Sequence, residues 1–324
     1  MPANIKRYKR ARMEVYKMEN IILQTHGISV KYGNFPALDD VSISLKNKHI
    51  YGFIGENGAG KTTLMKVLTG LLYPTSGTFS LFGKSAPSDI LKVRRNIGST
   101  IEAPALYPEY SAYRNLELQR ILIGNPDKEI CGKLLGIVGL TEVKDKKVRK
   151  FSMGMKQRFS IAMALVGRPR LLILDEPING LDPKNISELR SLLKKLNEED
   201  DMTLFISSHI LNELYLLATD YYIIHKGKII ESLTHDELDE KCRQYIKIKT
   251  SDLPKCITVI EDAFIDAEYT AIDDETLHLF SHTDRAEGIA RLLMENHIVT
   301  KEFSVTEQSL EEYFLGITGG DNDA

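Results

Sequence analysis

The chain has 324 residues, 43% of them hydrophobic and 27% charged, and a formal net charge of −3. That composition suits a soluble globular protein with room for about two domains. No apolar run reaches the roughly eighteen residues that cross a bilayer, and an acidic body argues against broad nucleic-acid binding.

Residues 1–19 read as a disordered basic arm, with Lys6, Arg7, Lys9, Arg10, Arg12 and Lys17 set against Glu14 and Glu19. The arm lacks the apolar stretch of a signal peptide, and Met18 is a candidate start because ordered patterning begins at Ile21. Strand-like runs follow at Ile21–Gln24, Val41–Leu45, His49–Ile54 and Thr78–Phe82, separated by Gly, Asn and Pro turns. From about 94 to 158 the spacing turns helical, as in Leu116, Leu118, Ile121, Leu122 and then Ile130, Leu134, Leu135, Ile137, Val138. Residues 171–174 and 203–206 are short apolar runs of the kind buried in parallel sheets, with a helix over Pro183–Glu199 between them. After about residue 240 a second unit begins. It reads strand (Tyr245–Thr250), helix (Pro254–Phe264), strand, strand (Thr276–Ser281), helix (Asp284–Asn296), strand (Val299–Val305) and a closing helix (Ser309–Ile317). Its first six elements follow the β-α-β-β-α-β order of the split βαβ motif. Cys131, Cys242 and Cys256 stand far apart with no CxxC pair, so neither a disulfide framework nor a zinc site is expected, and a reducing compartment fits.

The strongest chemical signal is Gly55-Glu-Asn57-Gly58-Ala59-Gly60-Lys61-Thr62, followed by Thr63. Two glycines five apart, then Lys and Thr, form a phosphate loop when an apolar strand precedes and a helix follows, and both flanks are present. The glycines let successive backbone N–H groups point at phosphate oxygens, and the helix N-terminus adds its positive end. Lys61 reaches the β- and γ-phosphates, and the Thr62 hydroxyl takes a place on Mg²⁺. The chain therefore binds a nucleoside triphosphate. The metal needs a further carboxylate, and Leu171-Leu-Ile-Leu-Asp175-Glu176-Pro177 supplies it at a strand end, where α/β sheets place ligands. Asp175 holds Mg²⁺, directly or through water, and Glu176 orients or deprotonates the attacking water.

Phe151-Ser152-Met153-Gly154-Met155-Lys156-Gln157-Arg158, upstream of Glu176, narrows the choice. Here the chain resembles the ATP-binding-cassette (ABC) family, whose signature Leu-Ser-Gly-Gly-Gln stands at this place. Ser152 and Gly154 are kept, while Phe151, Met153 and Met155 depart from the pattern. The resemblance implies an α/β phosphate-loop NTPase core over 20–240, with a helical insert at about 94–158, and the element order after it gives a small α+β domain over 241–324. It also implies that Ser152 and Gly154 bind the γ-phosphate of a nucleotide held by a second copy of the chain, in an ATP-sandwich dimer. Tyr32 matches the aromatic that stacks on adenine, Asp182 in Asn179-Gly-Leu-Asp182-Pro183 matches the loop that meets the opposing subunit, and His209 matches the switch histidine at the γ-phosphate.

One departure concerns Ile97-Gly-Ser-Thr-Ile-Glu102-Ala-Pro, where the family usually places a Gln at the metal. A carboxylate at Glu102 ligates Mg²⁺ more strongly than an amide but also repels phosphate. Glu102 and the wording around it are similar to bacitracin- and lantibiotic-type transporters, and Ser309–Gly319 looks like the closing helix of antibiotic-export cassettes. The function implied is an ATPase subunit with ATP and Mg²⁺ as cofactors, at the cytoplasmic face of the membrane. It would power export or membrane removal of a peptide antibiotic through separate transmembrane permease subunits, with no nucleic-acid partner. An antibiotic-sensing complex and a soluble non-transport ABC ATPase are the alternatives.

Overall fold

The computed structural model describes residues 20–102, 106–307 and 309–319. The basic arm expected over 1–19, and Ala103 and Pro104 beside Glu102, lie outside them. The chain divides into two compact units, one ending at His235 and the other beginning at Asp236.

The first unit opens with four strands, β1 (Ile21–Tyr32), β2 (Phe35–Val41), β3 (Ser44–Lys46) and β4 (Ile50–Ile54), followed by helix α1 (Lys61–Thr69), β5 (Ser76–Leu81) and α2 (Pro87–Val93). β1 pairs antiparallel with β2, β3 and β5. The single strand expected over Val41–Leu45 is two: Val41 ends β2 and Ser44 begins β3. The Thr25 hydroxyl explains the break, because it donates to Val41 O at 3.1 Å and accepts from Ile43 N at 2.8 Å. A side chain thus takes backbone groups that a continuous ladder would use, while Val41, Ile43 and Leu45 stay buried.

Next come β6 (Ile97–Thr100), α3 (Ala112–Leu122), α4 (Ile130–Ile137), α5 (Met153–Leu165), β7 (Leu171–Leu174), α6 (Pro183–Glu198), β8 (Thr203–Ser208), α7 (Leu211–Tyr215), β9 (Asp220–His225) and β10 (Lys228–Thr234). The helical character expected from 94 begins later, since Ile97–Thr100 is a strand. Its run is too short and too mixed to alternate visibly, and it is specified by pairing with β7.

A six-stranded sheet in the order β10-β9-β4-β8-β7-β6 carries the site. All its neighbours are parallel except the β9–β10 hairpin. Every residue of β4, β7 and β8 is buried. This explains why their apolar residues do not alternate with polar ones, for a parallel strand covered on both faces has no solvent side. Because β4, β8 and β7 are adjacent and parallel, the three loops leaving their C-terminal ends emerge side by side.

In the second unit, α8 (His235–Cys242), which starts at the last residue of the first, leads to β11 (Gln244–Thr250), α9 (Leu253–Ala263), β12 (Tyr269–Ala271), β13 (Thr276–Leu279), α10 (Ala286–Glu295), β14 (Thr300–Glu307) and α11 (Leu310–Thr318). Its sheet runs β12-β13-β11-β14 with every pair antiparallel. Ile246, Ile248, Leu277 and Leu279 from the sheet pack with Cys256 and Ile260 of α9 and with Ile289 and Leu293 of α10. Burial pushes the Cys256 thiol up to about 11, so it behaves as a small apolar filler.

Candidate nucleotide site

The loop between β4 and α1 turns back on Gly60, whose φ of 110° lies in the left-handed region. A Cβ there would sit 2.6 Å from the Ala37 carbonyl oxygen, so only bare backbone fits. Gly55 and Ala59 are buried, whereas Asn57 and Gly58 face outward and Thr62 and Thr63 are half-buried at the start of α1. The Lys61 side chain is 5% exposed. It donates to Gly55 O at 2.6 Å and Glu56 O at 3.1 Å, and lies 3.1 Å from Glu176 Oε1. The first two contacts brace the loop. The third is an ion-pair distance without good hydrogen-bond geometry, and it leaves Oε1 buried with no hydrogen bond of its own.

Asp175 and Glu176 follow the last residue of β7. The Thr62 hydroxyl donates to Asp175 Oδ2 at 2.7 Å, and the Ser207 hydroxyl donates to Asp175 Oδ1 at 2.6 Å. Glu176 has φ 47°, a left-handed backbone unusual for a residue with a side chain. Its Oε2 lies 2.9 Å from His209 Nδ1, which donates when that nitrogen carries the proton. The fold thus brings Lys61, Thr62, Asp175, Glu176 and His209 into one cluster at the C-terminal edge of β4, β8 and β7, joined by hydrogen bonds through Ser207 and, at Lys61, by an ion pair.

A second group of the expected residues gathers at the starts of α5 and α6. Ser152 caps α5 by accepting from Met155 N at 3.3 Å. Asp182 caps α6, accepting from Asn185 N at 2.9 Å and from Asn185 Nδ2 at 2.7 Å, and these bonds hold its carboxyl below the usual range. Gly154 joins the two helices, since a Cβ on it would fall 2.0 Å from Asn185 Oδ1. Ser152 and Asp182 themselves are exposed.

Among the described residues, Glu102 and Tyr32 make no hydrogen bond to either group. Glu102, also left-handed at φ 59°, is bound by Lys66 at 2.5 Å, and that carboxylate raises the Lys66 pKa. It lines a cleft of about 750 Å³ together with Asp175, Glu176, Met153, Asn179 and Gly180. Tyr32 ends β1 with half its surface exposed. Sequence reasoning missed Lys66 and Ser207. The visible trace of Ser207 was a pair of hydroxyls, Ser207 and Ser208, closing the apolar run Leu204–Ile206 just before His209.

Among the described residues no group of three or more His, Cys, Asp and Glu side chains could hold a metal, and no helix is long and apolar enough to cross a membrane. The facing oxygens of Thr62 and Asp175 suit a hard cation that keeps few protein ligands and completes its shell with phosphate and water, as Mg²⁺ does.

Residues 38–179 match the family model described as ABC transporter. The chain is 40% identical over 299 residues to the bacitracin transport ATP-binding protein BcrA of Bacillus licheniformis, covering 92% of this chain and 98% of that protein. It is 42% identical over 215 residues to the lantibiotic transport ATP-binding protein SrtF of Streptococcus pyogenes, covering 66% of this chain and 92% of that one. Among solved structures, the ATP-binding cassette MJ0796, dimeric and bound to ADP and Pi, superposes with a TM-score of 0.60 at 25% identity, over 66% of this chain and 99% of that one. The cbiO1 subunit of the cbiONQ complex from Clostridium perfringens gives a TM-score of 0.62 at 28% identity, over 69% and 92%. With its Gly55–Thr62 loop, paired acids and His209 set at one sheet edge, and with relatives of this identity along nearly its whole length, the chain belongs to the ABC transporter family as an ATP-binding, ATP-hydrolysing protein.

Proposed function

We propose that two copies of this chain close around two ATP molecules and drive export of a peptide antibiotic through separate membrane subunits, from the cytoplasmic face of the membrane. The observation that carries this reading is the cluster joining Lys61, Thr62, Asp175, Glu176 and His209. The cargo rests on relatives named for bacitracin and lantibiotic transport.

In this reading the loop amides and Lys61 bind the β- and γ-phosphates. Thr62 and Asp175 hold Mg²⁺, which when bound neutralises charge on the phosphate oxygens. Glu176 accepts a proton from the attacking water, and His209 fixes the carboxylate from its other oxygen while facing the γ-phosphate. Tyr32 stacks on the adenine, and its flat face selects the base only weakly. Ser152 and Gly154 present the N-terminus of α5 to the partner's nucleotide, with Asp182 beside them, so each site is completed only in the dimer. Glu102 stands where the cleft meets the membrane subunit, and Lys66 offsets its charge.

Lys61 already sits among acceptors, so removing its charge should act on binding first. Lys61→Met is expected to weaken ATP binding roughly 10–100-fold, the worth of a charge-assisted hydrogen bond. Titration with a fluorescent nucleotide checks this, and unchanged affinity would remove Lys61 from the phosphate site. For the function as a whole, the tagged protein is isolated from gently solubilised membranes with ATP trapped. A multi-span membrane protein at equal subunit number is expected. Stoichiometric recovery of ribosomal or DNA-associated proteins alone would overturn the transport reading.

A further inference from the structure

Ser207 is fully buried in β8, the strand between β4 and β7. Its register places it opposite Phe53 of β4, and its neighbour Ile206 opposite Leu174, the last residue of β7. The β7–β8 ladder ends there, and Asp175 and Glu176 lie just beyond. A hydroxyl has one proton to give and two lone pairs to offer. Ser207 Oγ gives its proton to Asp175 Oδ1 at 2.6 Å and accepts the backbone N–H of Glu176 at 2.9 Å.

These two bonds control different things. The first fixes one oxygen of Asp175, which leaves the other turned toward Thr62. The second satisfies an amide in a turn whose φ of 47° a residue with a side chain seldom adopts. That turn sends the Glu176 carboxylate toward Lys61 and His209. An aliphatic residue at 207 would leave both groups without this partner, in a place where unpaired polar groups are costly.

We propose that Ser207 is a positioning residue for ATP hydrolysis, one hydroxyl that sets both the metal-facing oxygen of Asp175 and the approach of Glu176. The proposal rests on the reading of Asp175 as the metal-holding acid and Glu176 as the proton acceptor.

The test compares Ser207→Thr with Ser207→Val, which fill nearly the same volume and differ in the hydroxyl, and adds Ser207→Ala. For each, nucleotide affinity is measured with Mg²⁺ and with a chelator, alongside turnover and Tm. Val and Ala are expected to lose about 10-fold in turnover and about 10-fold in the gain of affinity that Mg²⁺ brings, as for one charge-assisted bond. Their metal-free affinity should stay within about twofold of the parent, and Thr should stay within about threefold throughout. Equal behaviour of Thr and Val would overturn the proposal. So would parallel loss of metal-free and metal-bound affinity following Tm, which marks a purely structural hydroxyl. Glu176→Gln is assayed beside them. Full turnover in that variant would remove the underlying assignment of the base, whatever Ser207 does.

Discussion

Glu176→Gln should lower ATP turnover by about 10²–10⁴-fold, the usual contribution of a positioned general base. The amide keeps the shape of the carboxylate and its contact with His209, but it cannot take the proton of the attacking water. It also removes the negative charge 3.1 Å from Lys61, which frees that ammonium for phosphate. Nucleotide affinity should therefore hold or rise, and an ATP-bound dimer should accumulate. Single-turnover phosphate release and the elution volume with ATP measure the two effects. A fully active variant would show that another group takes the proton.

Gly154→Ala should disable the dimer while sparing the phosphate loop. The added Cβ would lie 2.0 Å from Asn185 Oδ1 and 2.3 Å from Asn185 Cγ. Asn185 cannot swing away freely, because its amide holds the Asp182 carboxylate at 2.7 Å. Overpacking of this kind costs about 1–3 kcal/mol, roughly 10–100-fold in an equilibrium that needs the native arrangement. Sedimentation in the Glu176→Gln background, where ATP-bound dimer persists, should show that loss, with ATP binding by the monomer intact. Adding Asn185→Gly removes all three clashing atoms, the Asn185 Cβ at 2.9 Å included, and should recover dimerisation. Dimerisation of the single variant at parental strength would show that α5 and α6 give way without consequence for the interface.

Much of this molecule was legible in its sequence, for identifiable reasons. The phosphate loop could be placed because glycine spacing, an apolar strand and a following helix are local features. The α/β class followed from short buried runs alternating with helices, and the second unit from six elements in a familiar order. What stayed hidden depends on which strands are neighbours. Ser207 lies 32 positions from Asp175, and Lys66 lies 36 from Glu102. No periodicity connects either pair. β2, β9 and β10 were missed because their residues alternate poorly, with burial set by pairing across the sheet. The break after Val41 was invisible because a hydroxyl sixteen positions away causes it.

The second unit has an apolar cluster of its own residues, from Ile246 to Phe303, and the cluster around Lys61 and Asp175 reaches no further along the chain than His209. The alignments differ in extent. The BcrA relative runs through both parts, whereas SrtF matches only 66% of the chain and the solved cassette cbiO1 covers 69%. Natural selection can keep the nucleotide chemistry constant while remaking or discarding the appendage, so differences between lineages should collect after His235.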